Sequence, residues 1–444
     1  MNFNPLSLLL TAVGIYLLFK LRFFFILHPI RTAKKALGSV GSASAVKSLA
    51  LALAGTLGVG NVFGVCLGII IGGRGSVFWL LASTVFASVL KYSEVVISLD
   101  NLKHSYDCAH GGMYYTIRNT FKKFGAPMSV LYACACLMIA LVMGAALQSG
   151  TAGEAMAELF DTPPAFTGIF LIGLVFISII GGVKIIEKIT VIVIPLTTII
   201  YIVVTLSVII LHIDVLGSTV MSIVTDAFRI DSAVGGIIGF LVSSPVREGY
   251  SRGILSNEAG CGTSSMAHSR SGILNPASAG LMGIVEVVFD TAVLCMLTAL
   301  AVLVSVPNPE QYGTGMSLIL TATTSTLGAP ASYLILFSVI AFAYSTIVCW
   351  YYYGVESFIS LFGKDSRLIF LPLFLIAAFL GTLIDNRILV AMTDALMLVL
   401  AMLTLSALIK NSDRIRTLSE KGGVVEKTAE RIKGIVFSNR EQHR

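Results

Sequence analysis

The chain has 444 residues, of which 56% are apolar and only 12% charged. Soluble domains carry about twice that share of charge, and a soluble chain this long would alternate polar and apolar stretches. The net charge of +6 makes a weak case for nucleic acid and in a membrane chain reports orientation instead. Apolar runs near span length recur from end to end, with charges confined to the gaps. A bilayer core about 30 Å thick takes about 20 helical residues to cross, and backbone amides find no water there. The composition therefore predicts an all-α polytopic membrane protein.

Eleven spans are predicted, near 5–27, 48–71, 76–99, 127–149, 165–182, 189–212, 233–254, 277–304, 331–357, 368–384 and 388–409. The first run, Leu6 to Leu27, has no basic leader; its charges (Lys20, Arg22, Arg31, Lys34, Lys35) follow the apolar stretch. It reads as a retained helix rather than a signal peptide. With the start outside, an odd number of spans places the polar tail from Lys410 in the cytoplasm. Of the 30 Lys and Arg, only Arg74, Arg229 and Arg387 then face outward, as the positive-inside rule requires. A plasma or inner membrane location follows. After the first helix, ten spans divide into five and five. The expected units are 1–47 (extra helix and basic loop), 48–212 and 213–409 (two inverted five-helix repeats), and 410–444 (a basic surface tail).

Both halves open on glycine-rich spans: Ala54-Gly55-Thr56-Leu57-Gly58-Val59-Gly60-Asn61 and Gly235-Gly236-Ile237-Ile238-Gly239-Phe240. Interrupted helices at matching places in inverted halves point to a transporter binding site. Crowded glycines lower helix stability by about 1 kcal/mol each relative to alanine. Unwinding frees amides for a carboxylate and carbonyls for a cation. Gly60, Gly64, Gly68 and Gly72 instead recur every four residues, the pattern of close helix packing.

Other polar residues within spans have two readings each. Gln148 either bonds a neighbouring helix or faces a solute. Ser345 and Thr346 either bond their own backbone or supply hydroxyl oxygens to a monovalent cation. Asp290 and Glu286 are the deepest acids, and groups at such depth face a partner or a wet cavity. Lys91 and Glu94 are expected to pair. The seven cysteines form no CxxC pair, the six histidines are scattered, and no catalytic triad, HExxH motif or Walker loop occurs, so neither a zinc site nor an enzyme is expected.

At these residues the chain resembles the alanine or glycine:cation symporter family, also called sodium:alanine symporters. The most specific match runs Arg252-Gly253-Ile254-Leu255-Ser256-Asn257-Glu258-Ala259-Gly260-Cys261-Gly262, similar to RGxxSNEAGxG. Gly58-Val59-Gly60-Asn61, Lys91-Tyr92-Ser93-Glu94, Phe289-Asp290-Thr291 and Trp350-Tyr351-Tyr352-Tyr353-Gly354 extend it along the chain. The resemblance implies a LeuT-like fold of five plus five inverted spans behind an extra helix. It also implies sodium-driven uptake of small neutral amino acids, alanine or glycine, by alternating access. The substrate would meet Thr56, Gly58, Gly60 and Gln148, with Ile237, Ile238, Gly239 and Phe240 closing the pocket. Sodium (Na+) would take the Ala54, Leu57 and Phe342 carbonyls and the Ser345 and Thr346 hydroxyls. The chain departs from the family's GNxVQxN pattern, with Ala145 after Gly144 and Gly150 in place of the last Asn, and Ile237 stands where an aromatic is common. Proton coupling through Asp290 or Glu286, and a channel or sensor on the same fold, are the alternatives.

Overall fold

The computed structural model describes residues 5–40, 53–101, 103–104, 109–110, 112–181, 183–228, 243–269, 275–363 and 367–425. Helices carry almost all of it. Those used below are α1 (Pro5–Lys20), α2 (Phe63–Gly72), α3 (Gly75–Asp100), α4 (Lys122–Phe160), α5 (Pro164–Ile180), α6 (Val183–Leu211) and α7 (Ile213–Ala227). They continue as α8 (Ser244–Asn257), α9 (Pro276–Ser305), α10 (Gly315–Leu327), α11 (Ala329–Phe362), α12 (Arg367–Gly381), α13 (Asn386–Lys410) and α14 (Ser412–Lys421). A two-residue antiparallel ladder, Lys103–His104 against Ala109–His110, is the one sheet among the described residues.

Among the described residues six helices are long and apolar enough to cross a bilayer: α3, α4, the Ile192–Leu211 part of α6, α9, α11 and α13. Four shorter apolar helices accompany them, including α1, α5 and the Val59–Gly72 stretch. The surface of α6 explains why these elements are apolar all round. Ile192, Leu196, Ile199, Val203, Leu206 and Ile210 recur at helical spacing and are exposed, while Ile194, Tyr201, Val204 and Val208 on the other face are buried. Exposed apolar faces of this extent mark contact with membrane.

Most of the expected span boundaries fall near observed helix ends, but the expected starts at 48 and 233 lie outside the described residues, the first two spans are interrupted at 21–23 and 57–62, and some helices outrun the bilayer. α4 continues to Phe160, well past the predicted end at 149, because no proline interrupts Gln148–Phe160 and its two glycines do not stop the helix. α7, α10 and α14 are not spans and were not predicted. Their sequences are short or polar, and α14 takes helical form while packed beneath α1 and α3.

The site is positioned by α2, α4, α8, α9 and α11. The glycine stripe on α2 faces α8 throughout. A Cβ on Gly64 would meet Leu255 at 3.2 Å, one on Gly68 would meet Arg252 at 2.8 Å, and one on Gly72 would meet Glu248 at 2.8 Å. The four-residue recurrence therefore serves packing, as its spacing predicts. Gly60 belongs to this face too, since a Cβ there would lie 3.3 Å from the Leu255 carbonyl oxygen.

Candidate functional site

The span that opens the first predicted half is broken. Residues 53–56 are helical, 57–58 bend, Val59–Asn61 form a 3-10 turn, and α2 starts at Phe63. The last regular bond runs from the Leu57 amide to the Leu53 carbonyl (2.6 Å), after which the Gly58 amide folds back onto Thr56 O. Gly58 is extended, with φ −117° and ψ −164°, a conformation open to any residue. Its glycine is needed for space instead. A Cβ there would lie 2.9 Å from both Gln148 Oε1 and Thr346 Oγ1.

Those two side chains fill the groups that unwinding releases. The Val59 amide donates to Gln148 Oε1 at 3.0 Å, across 89 residues of sequence. Thr346 Oγ1 donates to Ala54 O and Leu57 O, both at 3.3 Å. Gln148 follows a π turn over Ala140–Leu147, and its Nε2 donates to the Met143 carbonyl at 3.3 Å. Single π turns widen a helix at places where function needs a side chain redirected. A second one, Val288–Cys295 in α9, carries Asp290.

The structure thus brings Ala54, Leu57, Gly58, Gln148 and Thr346 into one buried cluster. Ser345, buried on the preceding residue of α11, donates to Phe342 O at 3.0 Å, so these two meet each other. Thr56 is buried beside the break. Gly60 turns toward α8 rather than toward Gln148. Ile237, Ile238, Gly239 and Phe240 lie outside the described residues.

Around the break stands a set of buried polar groups whose partners were not legible in sequence. Asn61 Nδ2 donates to Asp290 Oδ1 at 2.6 Å, and Ser256 and Thr291 hydroxyls donate to Oδ2 at 2.5 and 3.0 Å. Thr298 Oγ1 holds the Asn61 carbonyl at 2.8 Å. Lys91 pairs with Glu286 at 3.4 Å rather than with Glu94, and His268 Nε2 sits 3.0 Å from the other Glu286 oxygen. His268 and Ser264 had no signal beyond being polar in an apolar neighbourhood; only their burial reveals them. The signature segment has a structural role here. Arg252 bridges Glu248 (3.5 Å) and Asp394 of α13 (2.7 Å). Glu258, Gly260 and Gly262 turn the chain through positive φ.

A broken apolar helix whose freed carbonyls and amides face hydroxyl and amide side chains, set in a bundle of long apolar helices, defines a multi-pass membrane transporter of the secondary carrier class. The fold is similar to a solved one: the crystal structure of MhsT in complex with L-phenylalanine superposes with a TM-score of 0.53 at 15% identity, covering 85% of this chain and 89% of that one. Residues 1–420 match the sodium:alanine symporter family, and the chain belongs to that family. The uncharacterized transporter YflA of Bacillus subtilis (strain 168) is 30% identical, over 93% of this chain and 89% of its own. The sodium/alanine symporter AgcS of Methanococcus maripaludis is 29% identical, over 84% of each chain.

Proposed function

We propose that this protein is a sodium-coupled symporter that takes up small neutral amino acids, alanine and glycine foremost, by alternating access. The observation that carries the reading is the break at 57–62, with Val59 N on Gln148 and Thr346 on the Ala54 and Leu57 carbonyls. The amides of the unwound turn present the positive end of the helix dipole to a substrate carboxylate. Gln148 exchanges its bond to Val59 for bonds to the solute. Bulky side chains are excluded because Gln148 and Thr346 close tightly on Gly58, where even a Cβ would lie 2.9 Å from both. The glycine-rich segment at Ile237, Ile238, Gly239 and Phe240 supplies the opposite wall.

The donors near Thr346 are neutral oxygens: two backbone carbonyls and its own hydroxyl, with the hydroxyl of the adjacent Ser345 bonded to the Phe342 carbonyl one turn back. Such a set fits a hard monovalent cation and lacks the carboxylates that divalent cations demand. Sodium bound there bridges the broken span to α11, and moving one charge across 100 mV supplies about 2.3 kcal/mol to accumulation. The name sodium/alanine symporter borne by the archaeal relative supports both solute and ion. The eleven-span layout in a plasma membrane, start outside and tail in the cytoplasm, is part of the same reading. So is the division into 1–47, 48–212, 213–409 and 410–444.

Uptake of labelled alanine into proteoliposomes tests it. An inward sodium gradient is expected to concentrate alanine and glycine, with counterflow of preloaded solute. Uptake that persists without sodium and follows a pH gradient would overturn the ion assignment. Alanine flux without counterflow would identify a pore.

A further inference from the structure

The first helix ends in a sharp turn. α1 stops at Lys20, and Arg22 and Phe23 carry the chain through positive φ (59° and 51°), a conformation that residues other than glycine seldom adopt. A short helix, Phe24–Leu27, and a longer one, Pro29–Val40, follow. Pro29–Val40 does not continue α1 and packs instead against the start of α9. Its Ala36 is buried, whereas Ile30, Arg31 and Lys34 share one exposed face. A cleft of about 570 Å³ opens beside that face, lined by Leu27, His28, Ile30, Arg31, Lys34 and Lys35. A second cleft, of about 320 Å³, shares Leu27 and His28 with it and reaches Phe19 and Arg22 at the end of α1.

Charge along this groove is one-sided. No Asp or Glu occurs in the sequence before Glu94, while Lys20, Arg22, Arg31, Lys34 and Lys35 all fall between positions 20 and 35. The carboxylates that reach the groove come from α14, and they serve its other end. Asp413 takes Lys20 at 2.6 Å, and Glu420 takes Arg416 at 3.0 Å with Arg22 at 4.0 Å. Lys34 is exposed and forms no ion pair among the described residues. Lys35 is bonded to the Gly423 carbonyl. Partial burial, and after it the Arg31 charge, hold the Lys35 ammonium below the ordinary lysine value. Cations crowded in this way are relieved by an anion. Between and beside them stand Phe19 (68% exposed), Leu27 (62%) and Ile30 (72%). A soluble anion would leave these side chains wet, and a neutral hydrocarbon would leave the cations without a counter-charge. An amphiphilic anion meets both.

We propose that this groove binds an anionic phospholipid, its phosphate held by Arg31 and Lys34 and its acyl chains laid over Phe19, Leu27 and Ile30. Basic clusters next to a spanning helix or on an amphipathic helix attract anionic headgroups. Such a helix lies in the plane of the interface, and its long cationic side chains reach to the headgroup level. A guanidinium beside an ammonium suits a phosphate, the first as a fork and the second as a point charge. That the groove faces the cytoplasmic leaflet rests on the orientation given under Proposed function; its chemistry does not.

Native mass spectrometry of the purified full-length chain, with phosphatidylglycerol or phosphatidylcholine of the same acyl chains, tests the groove. Phosphatidylglycerol is expected to stay bound at lipid concentrations lower by about tenfold or more. Arg31→Gln with Lys34→Gln removes that preference, while Lys122→Gln with Lys123→Gln, an exposed basic pair outside the groove, keeps it. Leu27→Ser with Ile30→Ser weakens retention by withdrawing the surface under the chains. Glycerol 3-phosphate, which carries the phosphate without chains, is expected not to displace the lipid. Equal retention of the two lipids, or equal loss in both basic pairs, overturns the site. Glycerol 3-phosphate binding as tightly as the lipid would make this a place for a free anion and overturn the lipid assignment. None of these outcomes involves sodium or alanine, so failure here leaves the transport reading intact.

Discussion

Three residues at the break decide whether it can hold solute and ion, and each has a separate readout. Gly58→Ala is tolerated by its extended backbone, yet its methyl would press within 2.9 Å of Gln148 Oε1 and Thr346 Oγ1. Sodium-driven alanine uptake is expected to fall about tenfold or more while the melting temperature of the purified protein stays near wild type; unchanged uptake would show that solute does not pass Gly58. Gln148→Ala removes the partner of the Val59 amide. Losing a buried hydrogen bond costs about 1–3 kcal/mol, so alanine affinity should weaken by about tenfold or more. Thr346 acts on the ion rather than the solute. Thr346→Ala should raise the sodium concentration for half-maximal uptake, and Thr346→Ser, which keeps the oxygen, should restore it. A sodium dependence identical in Thr346→Ala and wild type would move the cation elsewhere.

Among the elements, hydropathy made the long helices legible because lipid demands apolar residues on every face, as α6 shows with Ile199 outward and Tyr201 inward. It also marked the break, since Gly55, Gly58 and Gly60 crowd one turn. Partner choice was not legible. Nothing in the spacing of Lys91 and Glu94 shows that the ammonium reaches Glu286 on α9 instead, because that depends on how α3 and α9 cross. The i+4 glycines could be read from sequence as a packing stripe, but not as facing Glu248, Arg252 and Leu255 of α8. Gly68→Ile should therefore separate α2 from α8 and lower the melting temperature, whereas Gly173→Ala, where a Cβ would meet nothing within 4 Å, should not. The tail helix α14 was read only as a polar surface segment. It is tied to α1 by Lys20–Asp413 (2.6 Å) and Tyr16–Ser412 (2.8 Å), and to α3 by Tyr92–Ser419 (2.7 Å) and the bidentate Arg414–Asp100 pair (2.8 Å each). Hydrogen bonding to Lys20 holds the Asp413 carboxyl below its ordinary value of 3.8. A depressed carboxylate stabilises above its unfolded pKa and loses that contribution as pH falls through its folded one. The protection factors of the α14 amides, corrected for the intrinsic pH dependence of exchange, are accordingly expected to hold from neutral pH down to about 4 and to fall below that. Exposed pairs are worth about 0–1 kcal/mol each, so Arg414→Ala should speed exchange in α14 without unfolding the bundle.

Across the whole molecule, the break, the signature segment and α9 are held by one buried network of charge. Lys91 from α3 pairs with Glu286 from α9, Ser264 and His268 join from the signature side, and Glu258 takes the Thr263 hydroxyl at 2.6 Å. Glu94 lies fully buried beside the Gly260 and Gly262 amides. Asp290 extends the set to Asn61 at the break. A carrier that alternates access needs some helices to move as a body, and groups this dependent on each other cannot separate without stranding charge. α3, α9 and the 258–269 segment are therefore expected to move together. The network holds several carboxylates against one lysine, so the lysine is its most sensitive member. Removing one partner of a buried ion pair costs about 3–5 kcal/mol, while replacing both by apolar groups is often neutral. Lys91→Met should lower thermal stability by that order, and Lys91→Met with Glu286→Met should recover much of the loss. The double-mutant cycle reads the coupling directly. Additive losses would mean that the two residues do not share a pair, and that nothing electrostatic binds α3 to α9 as one moving unit.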